Sequence, residues 1–309
     1  MPKGTYNDLV FTLVGDNTYT FSSAAGSPVL EAGTLYAKEL TDVSVVKPKK
    51  LPGIFTVDGS GKKVKFSRGN LQATYHASSS SYSWNFAENQ WDYIGNAVGN
   101  TTIKNDGTNN DNAVVDLFGW TPAGKYSDGM KQYGINNSNT LDDYNGATAC
   151  CDWGATIDNE GTWLMLAINE FKYLCNNRST TSNVRYANAL VNGVTGIIIV
   201  PDNWDNAAPH ILENANTDTT PFNTNTIDIS TWMEIYESAG CVFLPSAGFR
   251  NGNSVITNGL SCYWSSTKYF DYASVAYWFE YRDPMFSPMV HEFDDNCRGG
   301  SIRLVCAAE

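Results

Sequence analysis

The groups of this 309-residue chain best suited to chemistry are seven cysteines, three histidines and one tight acidic cluster. The cysteines are Cys150, Cys151, Cys175, Cys241, Cys262, Cys297 and Cys306. No CxxC pair occurs, and structural zinc needs such close pairs. Buried free thiols are therefore expected, with one long-range disulfide left open. His76 and His210 stand in loop-like sequence without a nucleophile motif. His291 opens "HEFDD" (His291–Asp295), which places three carboxylates and an imidazole within five residues. The HExxH spacing of a zinc protease is absent. The cluster reads as a solvated acidic loop, with polar ligand contact as a second role. "KNDGTNNDN" (104–112) and "PDNWDN" (201–206) offer the oxygen ligands calcium takes, but not in EF-hand order, so both read as turn-rich loops. No catalytic residue, no metal and no cofactor is expected.

Aromatic residues give a stronger signal. Nine of the 19 residues from Tyr263 to Tyr281 are Phe, Trp or Tyr, against 13% in the whole chain. Read as a strand, Tyr277, Phe279 and Tyr281 share a face, which is expected to be core. Trp278 and Glu280 share the other, expected to face outward. The following "RDPMFSPMVHEFDDNCRGG" keeps no period of 2 or 3.6, and its Met and Phe side chains read as exposed binding anchors. The candidate ligand-binding set is Lys268, Tyr269, Phe270, Asp271, Tyr272, Ser274, Trp278, Glu280, Arg282, Met285, Phe286, Met289, His291, Glu292, Phe293, Asp294, Asp295, Asn296 and Arg298.

These residues need a scaffold, and the pattern predicts one of α+β class. "GIIIVPD" (196–202) and "CVFLPSAG" (241–248) are continuous apolar runs ended by proline, which predicts buried strands. "KKVKFSRGNLQATY" predicts two strands around a turn at Arg68-Gly69-Asn70, and "YSWNFAENQWDYIG" an aromatic strand-like run. Ala167, Phe171, Leu174 and Cys175 fall at helical spacing. A second helix is predicted over "ISTWMEIYESAG", with a Thr231/Glu234 capping box, a buried stripe of Trp232, Ile235, Tyr236 and Ala239, and Gly240 as its stop. Residues 1–47 read as a β segment too short to bury its own core, 48–52 as a Pro/Lys linker, and 53–309 as the main domain.

Charge excludes some roles. A net charge of −12 would repel a phosphate backbone, so nucleic acid is not an expected partner. No segment reaches the ~20 apolar residues of a membrane helix, so no membrane insertion is expected. "MPKGTYNDLV" lacks a signal pattern. The low-charge palette rich in Asn, Ser, Thr, Gly and Tyr suits an exported protein, so the expected native chain is longer and carries an export signal.

Six motifs, in order, carry a resemblance: "KVKFSRGNLQATY", "NQWDYIGNA", "VDLFGW", "FLPSAGFRNGNSV", "YWSST" and "GGSIRLV". Together, over about 53–305, they resemble the C-type-lectin-type fold. That fold is shared by formylglycine-generating-enzyme-like proteins and the Bacteroidetes proteins known as Fibrobacter succinogenes major paralogous domains. Within this group the chain is most similar to the variable proteins of diversity-generating retroelements, where a "YWSST"-like segment opens a variable region and an "R[SG]VRLV"-like strand closes it. The resemblance implies two short helices, short strands and long loops, and a variable region over about 263–305. It implies a ligand-binding surface over 268–298 for an unknown protein or glycan on another cell or host surface. "YTFSSAAGSPVLEAGTLYAKELT" separately resembles the last strands of a fimbrillin-like pilus domain. This implies a cell-surface or extracellular adhesin, with a pilus tip and pilus subunits as one setting and a phage tail fibre as the alternative. The oxidase relatives use a closely spaced cysteine pair, whereas Cys297 and Cys306 differ in spacing and Cys297 lies in the variable segment. The resemblance therefore implies a binding protein and not an enzyme.

Overall fold

The computed structural model describes residues 4–5, 10–14, 18–22, 29–30, 48–104, 106–120, 152–157, 162–217, 219–257, 259–269, 275–281, 293–295 and 298–308. Two compact units divide between Lys49 and Lys50, inside the stretch expected as a linker. Leu51 of that stretch is fully buried and donates its N–H to the Phe66 carbonyl at 2.9 Å, so the second unit begins with it.

The first unit contains two antiparallel pairs. β1 (Gly4–Thr5) pairs with β4 (Val29–Leu30), and β2 (Val10–Val14) with β3 (Thr18–Ser22). The run "TLYAKELTDVSVV" lies outside the described residues.

The second unit is mixed α+β, mostly sheet, with two short helices and no closed barrel among the described residues. One sheet has the order β10-β20-β6-β5, formed by β5 (Phe55–Thr56), β6 (Lys63–Phe66), β10 (Leu164–Met165) and β20 (Leu304–Ala307). Its two inner strands come from opposite ends of the unit, so the last strand closes the domain against its first. The expected strand "SIRLV" begins three residues late, at Leu304. Ser301 makes only an isolated bridge to Tyr263, and buried Arg303 turns its guanidinium to three carbonyls. These are Ser67 (3.1 Å), Arg68 (2.6 Å) and Phe243 (2.6 Å).

A second sheet, order β13-β11-β12-β14, holds β11 (Tyr186–Val191), β12 (Val194–Ile199), β13 (Thr226–Ile227) and β14 (Val242–Pro245). The two expected apolar strands are β12 and β14. β11 and β12 pair without a break and turn at Asn192-Gly193, both at positive φ (49° and 77°), the conformation of a tight type I′ hairpin. Both faces are covered, as the continuous apolar runs require. Ile197, Ile199 and Leu244 enter one core cluster, and Ile198, Val200 and Phe243 another.

Helix α1 (Ile168–Lys172) continues as a π-helical turn over Tyr173–Asn177 and buries Phe171, Leu174 and Cys175. Helix α2 (Ile229–Thr231) continues likewise over Trp232–Glu237. Its cap is Asp228, three residues before the expected one; the Asp228 carboxylate accepts the Thr231 N–H at 2.8 Å. Trp232 and Tyr236 are buried as expected, but Ala239 is exposed and Glu237 takes the inward place. Glu237 pairs with buried Arg68 and accepts from Gln90 Nε2 at 3.0 Å. Gly240 ends the helix at φ +89°.

The remaining elements surround the C-terminal third. β7 (Leu71–His76) lies between β8 (Ser81–Phe86) and β9 (Val114–Val115). The aromatic run expected over 82–95 is strand only to Phe86. β15 (Phe249–Asn251) and β16 (Ser254–Ile256) form a hairpin. The last sheet, order β17-β18-β19, is β17 (Ser261–Lys268), β18 (Val275–Tyr281) and β19 (Phe293–Asp295).

Candidate ligand-binding surface

The surface expected over 268–298 is carried by this last sheet, and its support can be followed residue by residue. β17 and β18 pair in register from Ser261↔Tyr281 to Trp264↔Trp278, then slip, and pairing resumes at Lys268↔Ala276. The slip inserts two extra residues on β17, which need side-chain partners because the ladder no longer serves them. Those partners come from "YWSST" and its neighbours. Ser265 Oγ donates to the Tyr277 carbonyl (2.7 Å), Trp120 Nε1 donates to the Ser265 carbonyl (2.9 Å), and Thr267 Oγ1 accepts the Ile168 N–H (3.1 Å).

The aromatic tips of this segment are bound as well. Trp264 Nε1 donates to the Phe118 carbonyl at 2.8 Å, and Tyr263 Oη donates to the Pro245 carbonyl at 3.1 Å while accepting from Asn70 Nδ2 at 3.2 Å. Tyr281 Oη donates to the Leu244 carbonyl. Burial pushes the Tyr263 hydroxyl up to about 12 and the Tyr281 hydroxyl well above its usual value, so both remain donors at any physiological pH.

Trp278 corrects the expected alternation. It was expected to face outward with Glu280, yet it is 3% exposed, with its ring 4.9 Å from Trp264 and 5.7 Å from Phe249. Tyr277, Phe279 and Tyr281 are also buried, so both faces of β18 are covered. Phe279 stacks on Phe171 of α1 at 5.1 Å, and the β15–β16 hairpin lays Phe249 over the opposite face. Trp278 is a core residue and leaves the candidate set.

Lys268, Tyr269, Glu280 and Arg298 are half-buried. Tyr269 donates its N–H to the Val275 carbonyl at 3.2 Å and packs its ring 4.9 Å from Tyr277. Burial and the neighbouring Tyr269 raise the Tyr277 hydroxyl. Phe293, Asp294 and Asp295, expected in a solvated loop, form β19 instead, opposite Tyr277, Ala276 and Val275. The strand pairing supplies a backbone partner that sequence pattern alone did not show.

Arg298 holds its guanidinium 5.5 Å from the Phe249 ring centroid. Directly after it, Gly299 and Gly300 pack where no side chain fits. A Cβ at Gly299 would come within 2.7 Å of the Arg250 Cβ, and one at Gly300 within 2.9 Å of the Trp264 ring. Gly299 and buried Arg250 also exchange backbone hydrogen bonds of 2.8 and 2.9 Å. Arg298 is thus the last position before a fixed backbone. Phe249 is the site neighbour that sequence reasoning missed. Its signal was the Gly252-Asn253 turn in "GFRNGNSV", which marks a hairpin without showing what the hairpin covers.

Phe270, Asp271, Tyr272, Ser274, Arg282, Met285, Phe286, Met289, His291, Glu292 and Asn296 lie outside the described residues. Among the described residues no cluster of His, Cys, Asp and Glu has metal-binding geometry. Carboxylates of the two Asp/Asn runs are bonded within the protein, near and far in sequence. Asp106 accepts from Thr108 N and Oγ1, and Asp202 accepts from Arg178 Nη1 at 3.0 Å and from Thr56. Cys175, Cys241, Cys262 and Cys306 are buried, and burial pushes the Cys175 thiol up to about 12, far from nucleophilic. Cys150, Cys151 and Cys297 lie outside the described residues.

No family model, no curated protein and no solved structure matches this chain.

Proposed function

We propose that the chain is a ligand-binding protein of the C-type-lectin-type fold. In this reading it is displayed at a cell surface as an adhesin, and its C-terminal region is diversified by a retroelement. The observation that carries the reading is the division within 261–301. Tyr263, Trp264 and Ser265 of "YWSST" are buried, Thr267 is bound to the Ile168 N–H, and Gly299-Gly300 close the other end. The strands that flank the intervening segments in sequence are fixed by residues outside those segments. Such a frame tolerates substitution in the intervening segments. The ligand is a protein or a glycan, met by Tyr269, Lys268, Arg298 and the segments 270–274 and 282–292.

The test is genomic, then biochemical. A near-identical template repeat beside a reverse transcriptase gene should differ from the coding region for 263–300 almost only at template adenines. Differences spread over all four bases would end the claim of diversification. A binding screen on host proteins and glycans should then show loss with Tyr269→Ala or Phe286→Ala and no loss of folding. Trp278→Ala is unsuitable for that screen, because Trp278 is core.

A further inference from the structure

A second surface lies on a different sheet from the candidate site. A groove of about 910 Å³ runs along the edge strand β13, between the β11–β12 turn and helix α2. Its floor is Leu190, Ile227, Ile229 and Met233. Ile229 and Met233 are 45% and 40% exposed, two of the eight large apolar side chains exposed among the described residues, and they stand four apart on the helix. Both line the groove and present a small apolar patch to it.

Charge selects the occupant. Asp228 and Glu234 line the groove, both exposed, and no lysine or arginine lines it. Asp228 accepts from Ser230 Oγ at 2.6 Å and from the Thr231 N–H at 2.8 Å. These bonds hold its carboxyl below the usual range, and the groove keeps its negative charge. Ten residues line the groove, against the ~20–30 per side of a stable dimer interface, so a second folded copy is too large an occupant for it.

We propose that this groove binds a short segment of another protein that places one apolar side chain on Ile229 and Met233 and flanks it with lysine or arginine. The proposal is independent of the ligand surface on β17–β19.

The probes are two pentapeptides with blocked ends, Lys-Lys-Leu-Lys-Lys and Glu-Glu-Leu-Glu-Glu, titrated into the whole chain and followed by NMR. The basic peptide should shift the resonances of Leu190, Ile229 and Met233 at millimolar concentration, more weakly at high salt, and the acidic one should not. Glu234→Lys should weaken the basic peptide about fivefold, the scale of an exposed ion pair, and improve the acidic one. Met233→Asp should weaken the basic peptide by about tenfold despite its added negative charge, through loss of the apolar contact. Both positions are exposed, so a circular dichroism melt should find the fold intact. Absence of shifts with the basic peptide overturns the proposal. So do equal shifts with both peptides, shifts confined to other residues, or equal binding of hexanol, which would make the groove a small-molecule site.

Discussion

Two sheets of the same domain are covered on both faces, yet they are held differently. In β11–β12–β14 the inward side chains are mostly aliphatic and the β11–β12 ladder runs unbroken over six pairs. In β17–β18 the inward side chains are aromatic, the ladder slips after Trp264↔Trp278, and the tips of Tyr263, Trp264 and Tyr281 each donate to a carbonyl outside the sheet. Aliphatic groups have no polar end to satisfy, so register and area suffice. Buried Tyr and Trp carry one, and on β17–β18 Tyr263, Trp264 and Tyr281 find an acceptor at a fixed place, although the Trp278 indole N–H does not among the described residues. The aromatic sheet is therefore anchored by direction as well as by area. That is the property a frame needs if the segments hanging from it are to change without moving it. The two sheets also meet: Tyr281 and Tyr263 donate to the Leu244 and Pro245 carbonyls of β14.

The largest break in this comparison is Trp264→Ala. It removes a 2%-exposed indole and one of the two donors to the Phe118 carbonyl, which keeps the Gly300 N–H at 2.8 Å. Loss of about 3–5 kcal/mol is expected from the cavity. Urea unfolding reads it. A loss under about 2 kcal/mol would mean that the aromatic sheet is not the anchored one.

Next is the carboxylate beside the aromatic region. Asp116 is fully buried; its Oδ1 accepts from Asn100 Nδ2 at 2.7 Å and its Oδ2 from the Ile94 N–H at 2.7 Å. Burial pushes it from 3.8 up to about 6, against the lowering effect of those bonds. The folded state therefore holds this proton to higher pH than the unfolded chain does. Its contribution is most favourable below about pH 4 and is lost as pH rises to about 6, by about 3 kcal/mol (two units at about 1.4 each). Asp116→Ala should flatten that part of the stability–pH curve between pH 4 and 6, although it lowers stability overall through the lost bonds. An unchanged slope would exclude Asp116 as its source.

How far the sequence spoke for these regions follows the same physics. The aliphatic strands were legible because a run such as Gly196–Val200 has one interpretation once proline ends it. Alternation in β18 was legible as a strand but misleading as to sides. Whether Trp278 faces water depends on Phe249, some 30 residues earlier, and on a hairpin that no local pattern aims. The helix cap was displaced for a local reason: Asp228 and Thr231 are both good cap residues, three apart, and Glu234 completed a box with the wrong one. Glu237 was invisible as a core residue because a glutamate is buried only when paired, and its partners Arg68 and Gln90 are about 150 residues away. Of the candidate site, Tyr263–Thr267 was expected only through the resemblance, as the opening of the variable region, and its Tyr263, Trp264 and Ser265 are buried. The strand β19 was not expected, since Phe293–Asp295 carries no β signal of its own and is strand through its pairing with β18.

A finer contrast comes from matched conservative changes. Ile198→Val in β12 removes one buried methylene and should cost about 1 kcal/mol, with nothing else disturbed. Tyr263→Phe in β17 removes no apolar area but leaves the buried Asn70 Nδ2 without its acceptor, while the Pro245 carbonyl keeps Ser261 Oγ (3.0 Å) and the Ala247 N–H (2.8 Å), and should cost about 1–3 kcal/mol. If the two sheets differ as argued, the second exceeds the first in paired thermal melts. Equal losses would reduce the contrast to packing alone.

The smallest effect on stability is expected where the frame ends. Tyr269 is half-buried, its ring touches Tyr277, and its backbone bond to Val275 does not depend on its side chain. Tyr269→Ala should therefore change stability by about 0.5 kcal/mol, the range of surface substitutions. In the proposed reading the same change removes a large, rigid contact from the ligand surface, and binding should fall by about tenfold or more. The ratio of the two effects is the measurement that matters. Trp264→Ala should lose stability first and binding only as a consequence, whereas Tyr269→Ala should lose binding at full stability. A Tyr269→Ala protein that unfolds as readily as Trp264→Ala would move the boundary of the frame past residue 269 and shorten the surface available to any ligand.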